Sequence, residues 1–454
     1  MVTPIKNKLT ALGPTNIDVI LLCYGVPYLV YTPNPVYSTT STVSIDNFLM
    51  GLNYWNSSGS NLTWATNPYF ETTPTFSTDK GHFDQAAYKF NSTEMYMVTR
   101  LDGPRGVNGA LELVDQARYG DRYVSAQAGY YGGNIYLDSG GIGYAGPYND
   151  ASLTADSLVQ TGSYADYTPA DKNIAYGEHY ALSSGFPLKW QMGTGSIGSA
   201  GLTYTDSTSA EIAPRALFYG GWYNYNKYND VWDWLPGSTA CDLNSNSLWR
   251  LRSTGLSTFG GNALFKGATC VCGVIDEPYL TGHPRPNVML YYMLQGYTFA
   301  EASALSTPSI CWQPLNVGDP LYAPLRAKTQ VKDTQFPTLA GGYPKVKQGA
   351  TVTDQTISLM VSDSPEPEVV QVQLEYGLTT AYGTTVSSGQ GYWRRHSFSR
   401  GGLTASVTYH YRLRLTDPVG NVTLTGDFTF FTGTNQPPAI SSGPWATPNP
   451  ARLR

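Results

Sequence analysis

Three groups of residues in this chain have side-chain types and spacings that suggest chemistry. A thiol nucleophile needs a cysteine and an imidazole base at the carboxyl ends of neighbouring strands, with backbone N–H groups to hold an oxyanion. Cys241, in Leu235-Pro-Gly-Ser-Thr-Ala-Cys-Asp, is the candidate nucleophile, and His179 and His283 lie in stretches that could reach it. The competing reading is structural, because a lone Cys among small residues behaves as a compact hydrophobe. Asp276 and Glu277 close a short apolar run and, with His283, offer oxygen and nitrogen ligands. Carboxylates at strand ends could hold Ca²⁺ in an extracellular protein, or could equally cap helices and brace loops. The third group is the run from Gly220 to Trp234, GGWYNYNKYNDVWDW, with Trp222, Tyr223, Tyr225, Trp232 and Trp234. Flat rings beside amides suit carbohydrate or protein contact, and they suit covering the end of a sheet equally well. Gly193 to Gly198, GTGSIG, fits a dinucleotide pattern. The following SAGLTYTDSTSA has no helical apolar stripe, so no helix N-terminus is available for a pyrophosphate.

The elements that must position these groups follow from periodicity. Compact apolar runs at Ile17 to Tyr24, Met95 to Arg100, Asn134 to Asp138, Ile212 to Tyr219 and Thr269 to Ile275 read as strands, several of them buried on both faces. Helical spacing appears at Ser44 to Leu52, with Ser44 as N-cap and Asp46 in the first turn, and at Val107 to Ala117, Ser152 to Thr161, Val288 to Leu294 and Phe299 to Leu305. Strands alternating with helices imply a doubly wound, mostly parallel α/β sheet with long loops over residues 1–328. Val317-Gly-Asp-Pro-Leu-Tyr reads as a sharp turn at the sheet edge. Residues 329–349 form a Pro/Gly/Lys-rich linker. Residues 350–432 alternate as the strands of an all-β, immunoglobulin-like sandwich do, with Thr408-Tyr-His-Tyr-Arg-Leu-Arg-Leu as a long central strand. A Pro-rich tail occupies 433–454.

The totals narrow the class. The chain has 454 residues, only 13 % of them charged, with 35 Tyr and 47 Gly, a polar but weakly charged composition suited to exposed extracellular surfaces. A net charge of −5 gives no electrostatic case for nucleic acid. Five cysteines leave at least one unpaired within the chain. Cys270 and Cys272 share one face of a strand at a spacing poor for bonding to each other. No CxxC is present, and the apolar run from Ile17 is broken by Asp18, Gly25 and Pro27 before it could span a membrane. No signal peptide follows Met1, which suggests numbering that starts inside a longer precursor.

In combination, several segments resemble an uncharacterised family of exported bacterial proteins that accompanies the exosortase sorting system, and more distantly the gingipain and caspase-like peptidases. The matching segments are Cys23-Tyr-Gly-Val-Pro, Ser44-Ile-Asp, Arg100-Leu-Asp-Gly-Pro, Gly267-Ala-Thr, Glu277-Pro-Tyr, Gly296-Tyr-Thr-Phe-Ala-Glu and Gly318-Asp-Pro-Leu-Tyr. The resemblance covers roughly three quarters of the chain and implies a caspase-like core and export to the cell surface. Gingipain-like sequences carry a His-Gly pair where this chain has Phe218-Tyr219-Gly220-Gly221-Trp222, so the general base is missing from that place. The C-terminal sandwich resembles a fibronectin type III domain. The expectation is therefore a secreted or cell-surface structural or adhesive protein without a resident cofactor, Ca²⁺ aside. It would self-associate or contact surface proteins and glycans. The alternatives are a cysteine endopeptidase built on Cys241 and a carbohydrate-binding protein built on the aromatic run.

Overall fold

The computed structural model describes residues 2–12, 17–32, 41–54, 64–72, 79–90, 92–141, 146–147, 168–223, 227–254, 258–277, 279–326, 331–389 and 391–433. The stretch read as a helix at Ser152 to Thr161, the ring of Tyr225 and the tail beyond Gly433 lie outside them. The centre of the molecule is an eight-stranded sheet. Its strands are β1 Val19–Cys23, β2 Met97–Leu101, β3 Asn134–Asp138, β4 Leu188–Gln191, β5 Ala213–Gly221, β6 Trp232–Asp242, β7 Cys270–Val274 and β8 Pro314–Val317. They lie in the order β1-β2-β8-β7-β6-β5-β3-β4.

The sheet has two directions. Strands β7, β6, β5, β3 and β4 are mutually parallel, and β1, β2 and β8 are parallel among themselves. The two blocks meet where β8 pairs antiparallel with β7. The sheet is thus mostly parallel, as expected, with one antiparallel pairing inside it. Val317 does lead into the sharp turn, yet its strand sits inside the sheet and not at its edge. The sequence reading also missed β6, because Trp-Asp-Trp-Leu-Pro-Gly-Ser-Thr has neither clean alternation nor an unbroken apolar run. Pro236 and Gly237 fall where the β5–β6 register is irregular, the kind of place a sheet tolerates them. Gly237 has φ +90°, and a β-carbon on Gly120, in the helix packed across it, would come within 2.7 Å of the Gly237 Cα. Both positions therefore require glycine.

Helices cover both faces. Their ranges are α1 Ile45–Met50, α2 Gly106–Tyr123, α3 Thr168–Ser184, α4 Phe259–Lys266, α5 Pro286–Leu294 and α6 Phe299–Ser306. One apolar core joins Leu137, Phe218, Cys241 and Cys272 to α3, α5 and α6; the other joins Tyr136, Tyr219, Ala240 and Val271 to α4. The helix starts follow their sequence signals. The Ser44 hydroxyl accepts the Asn47 N–H at 2.9 Å, and Thr298 with Glu301 forms a capping box.

Residues 23–27, 44–46 and 100–102 converge on one buried cation. Arg100 is fully enclosed. Its guanidinium donates to both Asp46 oxygens at 2.6–3.2 Å, to Asp102 at 2.7 Å, and to the carbonyls of Val26 and Pro27 at 3.2 and 3.1 Å. Arg252 closes the cluster with two bonds to Asp102 at 2.9 and 2.7 Å and stacks over Tyr24 and Tyr28. Burial lowers the proton affinity of Arg100, but Asp46 and Asp102 outweigh it and hold the group above its ordinary range.

The C-terminal part is a two-sheet sandwich. One sheet pairs β9 Lys345–Gln348, β10 Gln355–Met360 and β13 Arg395–Arg400; the other holds β11 Gln371–Gly377, β12 Thr384–Ser387, β14 Thr408–Thr416, β15 Val422–Leu424 and β16 Phe428–Phe431. The alternating burial of β10 and β14 matches the expected pattern. The sandwich begins earlier than its sequence suggests, because β9 lies within the stretch read as linker. All four β9 residues, Lys-Val-Lys-Gln, are exposed, a lysine-bearing edge strand with little apolar signal.

Helix α2 fastens the two parts together. Glu112 accepts the successive backbone N–H groups of Arg394 and Arg395 at 2.8 and 3.1 Å. Arg395 bonds Asp115 at 2.6 Å, Arg118 reaches Asp363 at 2.9 Å, Arg122 reaches Glu366 at 2.7 Å, and Arg105 lies 3.9 Å over the Trp393 ring.

Two outcomes follow. In Arg100→Met, Asp46 and Asp102 keep their burial and lose their main counter-charge, so urea unfolding should show a loss of about 3–5 kcal/mol. Burial, with Asp115 adding to it, pushes Glu112 up to about 7 despite its N–H bonds and nearby arginines. A raised folded pKa means that the native state holds the proton more tightly, so this contribution is complete below about pH 4.5 and fades as pH rises through 7. Relative to Glu112→Gln, the wild type should lose stability across that window with a slope of at most about 1.4 kcal/mol per pH unit. Parallel curves for the two proteins would show that Glu112 ionises freely in the folded state.

Candidate functional site

The five parallel strands end together, at Gln191, Asp138, Gly221, Asp242 and Val274, and such an edge is where open α/β sheets place their ligands. Side chains alternate between the faces, so this edge carries two separate sets of groups.

On the face of α3, α5 and α6 lie Gly220, Cys241 and Cys272, which share one register. Cys241 is fully buried. Burial and the neighbouring Asp242 push its thiol far above the ordinary range, against a smaller opposing pull from Arg285. His283 is also fully buried, with burial and the Arg285 charge taking it down to about 3. Its Nδ1 has no partner. Arg285 donates to the Leu280 carbonyl at 2.7 Å and makes no ion pair with a carboxylate among the described residues. His179 is half-buried on α3 and packs edge-on against Tyr176. Among the described residues no hydrogen bond joins Cys241 to a histidine. A thiolate nucleophile needs a lowered pKa or an adjacent base, and Cys241 has neither.

The opposite face carries groups that the sequence reading passed over. Gln191 pairs with Asp138, Asp138 with Gly221, and Gly221 with Asp242, so the first, second and fourth of these side chains stand in one row across four strands. Both acids are fully buried. Burial raises Asp138 well above the ordinary carboxylate range, with Asp242 adding to it, and burial raises Asp242 to about 8 against bonds from Asn244 and the Tyr223 N–H. Their sequence signal was modest: two apolar strands that each end in Asp, Ile-Tyr-Leu-Asp and Thr-Ala-Cys-Asp. The second was hidden because β6 was not recognised.

The aromatic run packs inwards. Tyr223, Trp232 and Trp234 are buried; Trp232 and Trp234 stack with centroids 4.8 Å apart, and Tyr223 meets Phe259 at 4.9 Å. Trp222 is half-buried. Asp276 accepts the Thr42 hydroxyl at 2.5 Å, and exposed Glu277 accepts that of Ser245 at 2.5 Å, so both brace loops. A different acidic group, Asp333, Glu368 and Asp417, brings one oxygen from each within 4.8 Å of the others and could hold a cation between the linker and the sandwich. Burial, with Asp333 and Asp417 adding to it, lifts Glu368 to about 9. Both oxygens of Asp333 and of Asp417, and Oε1 of Glu368, are engaged by the Tyr119 hydroxyl, the Asn421 amide and backbone N–H groups.

No known family's sequence model matches this chain, and no curated protein matches it. Among solved structures, the sixth fibronectin type III domain of human fibronectin type III domain containing protein 3 is similar over 26 % of this chain and 100 % of its own, at 20 % identity and a TM-score of 0.18. A pectate lyase from Erwinia chrysanthemi matches 21 % of this chain and 28 % of its own at 13 % identity and a TM-score of 0.15. A purple acid phosphatase from yellow lupin seeds matches 28 % and 22 % at 15 % identity and a TM-score of 0.16.

All five cysteines are free; Cys23 is exposed, and Cys241, Cys270, Cys272 and Cys311 are buried. An aromatic disulfide reagent should therefore titrate one thiol in the native protein and five in denaturant. Fast modification of Cys241, mapped by mass spectrometry, would contradict this placement and restore a nucleophile.

Proposed function

We propose that this protein is a non-catalytic structural or adhesive component displayed outside the cell, in which an α/β domain and a fibronectin type III-like sandwich act as one rigid unit that associates with copies of itself or with other surface molecules. The observation that carries the reading is the α2 junction. Two buried acids on one helix grip consecutive backbone N–H groups and an arginine of the sandwich, with further ion pairs around them, whereas a tether between independent modules would need none of these contacts. The weakly charged, tyrosine-rich composition and the resemblance of the motifs to an exosortase-associated family support export. The closed surroundings of Cys241 weigh against the endopeptidase alternative. The inward packing of Tyr223, Trp232 and Trp234 weighs against a carbohydrate platform made from those rings.

Two assays on the purified full chain test the proposal. Light scattering over a concentration series should show association beyond the monomer, and generic protein and peptide substrates should survive incubation unchanged. In cells that produce it, a membrane-impermeant biotin reagent should label the protein. A monomer at every concentration that hydrolyses peptides, with the activity lost in Cys241→Ala, would overturn the proposal in favour of the peptidase.

A further inference from the structure

The row at the end of the parallel block has a feature that its role in packing leaves unexplained. Each of its polar side chains keeps one oxygen without a partner: Gln191 Oε1, Asp138 Oδ1 and Asp242 Oδ2. The hydroxyl of Tyr219, two residues before Gly221 and therefore on the same face, is unpartnered as well. All four residues are buried. The remaining carboxylate oxygens are held by the chain. Asp138 Oδ2 accepts the Ile197 N–H at 3.2 Å, and Asp242 Oδ1 accepts the N–H groups of Tyr223 and Asn244, both at 3.3 Å, and the Asn244 side-chain amide at 3.2 Å. Backbone donors thus fix each acid by one oxygen and leave the other free.

The middle of the row has no side chain of its own, because Gly221 stands between the two acids. A β-carbon there would lie 2.7 Å from the Asp138 Cβ and 2.9 Å from the Tyr219 hydroxyl, which places that hydroxyl over the glycine, between the acids. Strands on either side of a common neighbour are about 9.6 Å apart. Two aspartates leaning inward across a glycine can bring their free oxygens to opposite sides of one ion. Among the described residues no Lys, Arg or His pairs with either acid. Buried unpaired acceptors are costly and call for a donor or a cation.

We propose that Asp138, Asp242, Tyr219 and Gln191 form a buried site for a divalent cation. Its donors are all oxygen, and the two carboxylates balance the ionic charge, so Ca²⁺ is the ion whose ligand chemistry fits. Sulfur plays no part, since Cys241 points to the other face. The ion would tie the ends of β3 and β6 together. Through Ile197, whose carbonyl accepts the Tyr223 hydroxyl at 2.7 Å and the Asn229 amide at 2.9 Å, it would also fix the aromatic run. The Asp333, Glu368 and Asp417 trio differs in that none of its carboxylate oxygens is buried without a partner.

The test uses the full chain stripped with chelator and probed with Tb³⁺ and Ca²⁺. Tyr219 lies 5.0 Å from Trp232 and 6.1 Å from Tyr223 between ring centroids, so Tb³⁺ in this site should emit on excitation of aromatic rings, and Ca²⁺ should displace it. Asp138→Asn and Asp242→Asn should each weaken binding by about a hundredfold, no less than the loss of an outer-shell partner costs, and should abolish the rise in melting temperature on adding Ca²⁺. Glu277→Gln and Asp333→Asn should leave both readouts unchanged. The wild type alone also decides the matter, should a variant fail to fold: absence of sensitised emission and of any Ca²⁺ or Mg²⁺ effect on melting would show that the two acids are simply protonated. Binding that persists in folded Asp138→Asn/Asp242→Asn, or that is lost in Asp333→Asn, would place the ion elsewhere and overturn the assignment.

Discussion

The α/β domain depends on an arginine that its own strand buries completely. Removing a guanidinium from water costs several kcal/mol, recovered only if every donor finds a partner in good geometry. Arg100 meets that requirement with acceptors from three separate parts of the chain: the loop after β1, the first turn of α1, and the residue just beyond its own strand. Val317 of β8 pairs with Arg100 along the backbone, so the cluster sits beside the junction between the two strand directions. A sheet with opposed blocks has to fix where one ends and the other begins. A fully satisfied ionic cluster does this more selectively than apolar packing, because a slip of one residue would leave charges unpaired.

That arrangement gives three separate sequence segments one physical role. Cys23-Tyr-Gly-Val-Pro supplies two carbonyls, Ser44-Ile-Asp supplies a cap and a carboxylate, and Arg100-Leu-Asp supplies the cation and its second counter-ion. Gly318 opens the turn where a β-carbon would strike the Cys270 sulfur at 2.6 Å. In this structure these residues form one folded joint around Arg100.

Much of this was legible in the sequence, and the failures share a cause. Strands with an unbroken apolar run, such as β1, β2 and β7, declared themselves, as did the helices with a cap or a stripe and the alternating strands of the sandwich. Elements defined by tertiary context did not: β6 carries Pro236 and a bulge, β9 is an exposed lysine-rich edge, and β4 is only four residues long. The direction of β8 relative to β7 could not be read, because periodicity reports faces and not pairing. Missing β6 had a further consequence. Cys241 stood as a candidate nucleophile with no strand assigned to carry it, its neighbour Asp242 went unnoticed, and the rings before them suited a contact surface and a sheet cover equally, whereas Trp232, Trp234, Cys241 and Asp242 on that strand are all buried.

On this account the described residues at the carboxyl edge of the parallel block, Asp138, Gly221, Asp242 and Val274 among them, are core packed from both faces of the sheet. Native-state hydrogen exchange tests that most directly. The account predicts that the amides of residues 239–242 and 270–274 exchange only by global unfolding, with the same denaturant dependence as those of residues 98–101. Exchange at residues 239–242 through a sub-global opening, well below the free energy of global unfolding, would contradict it.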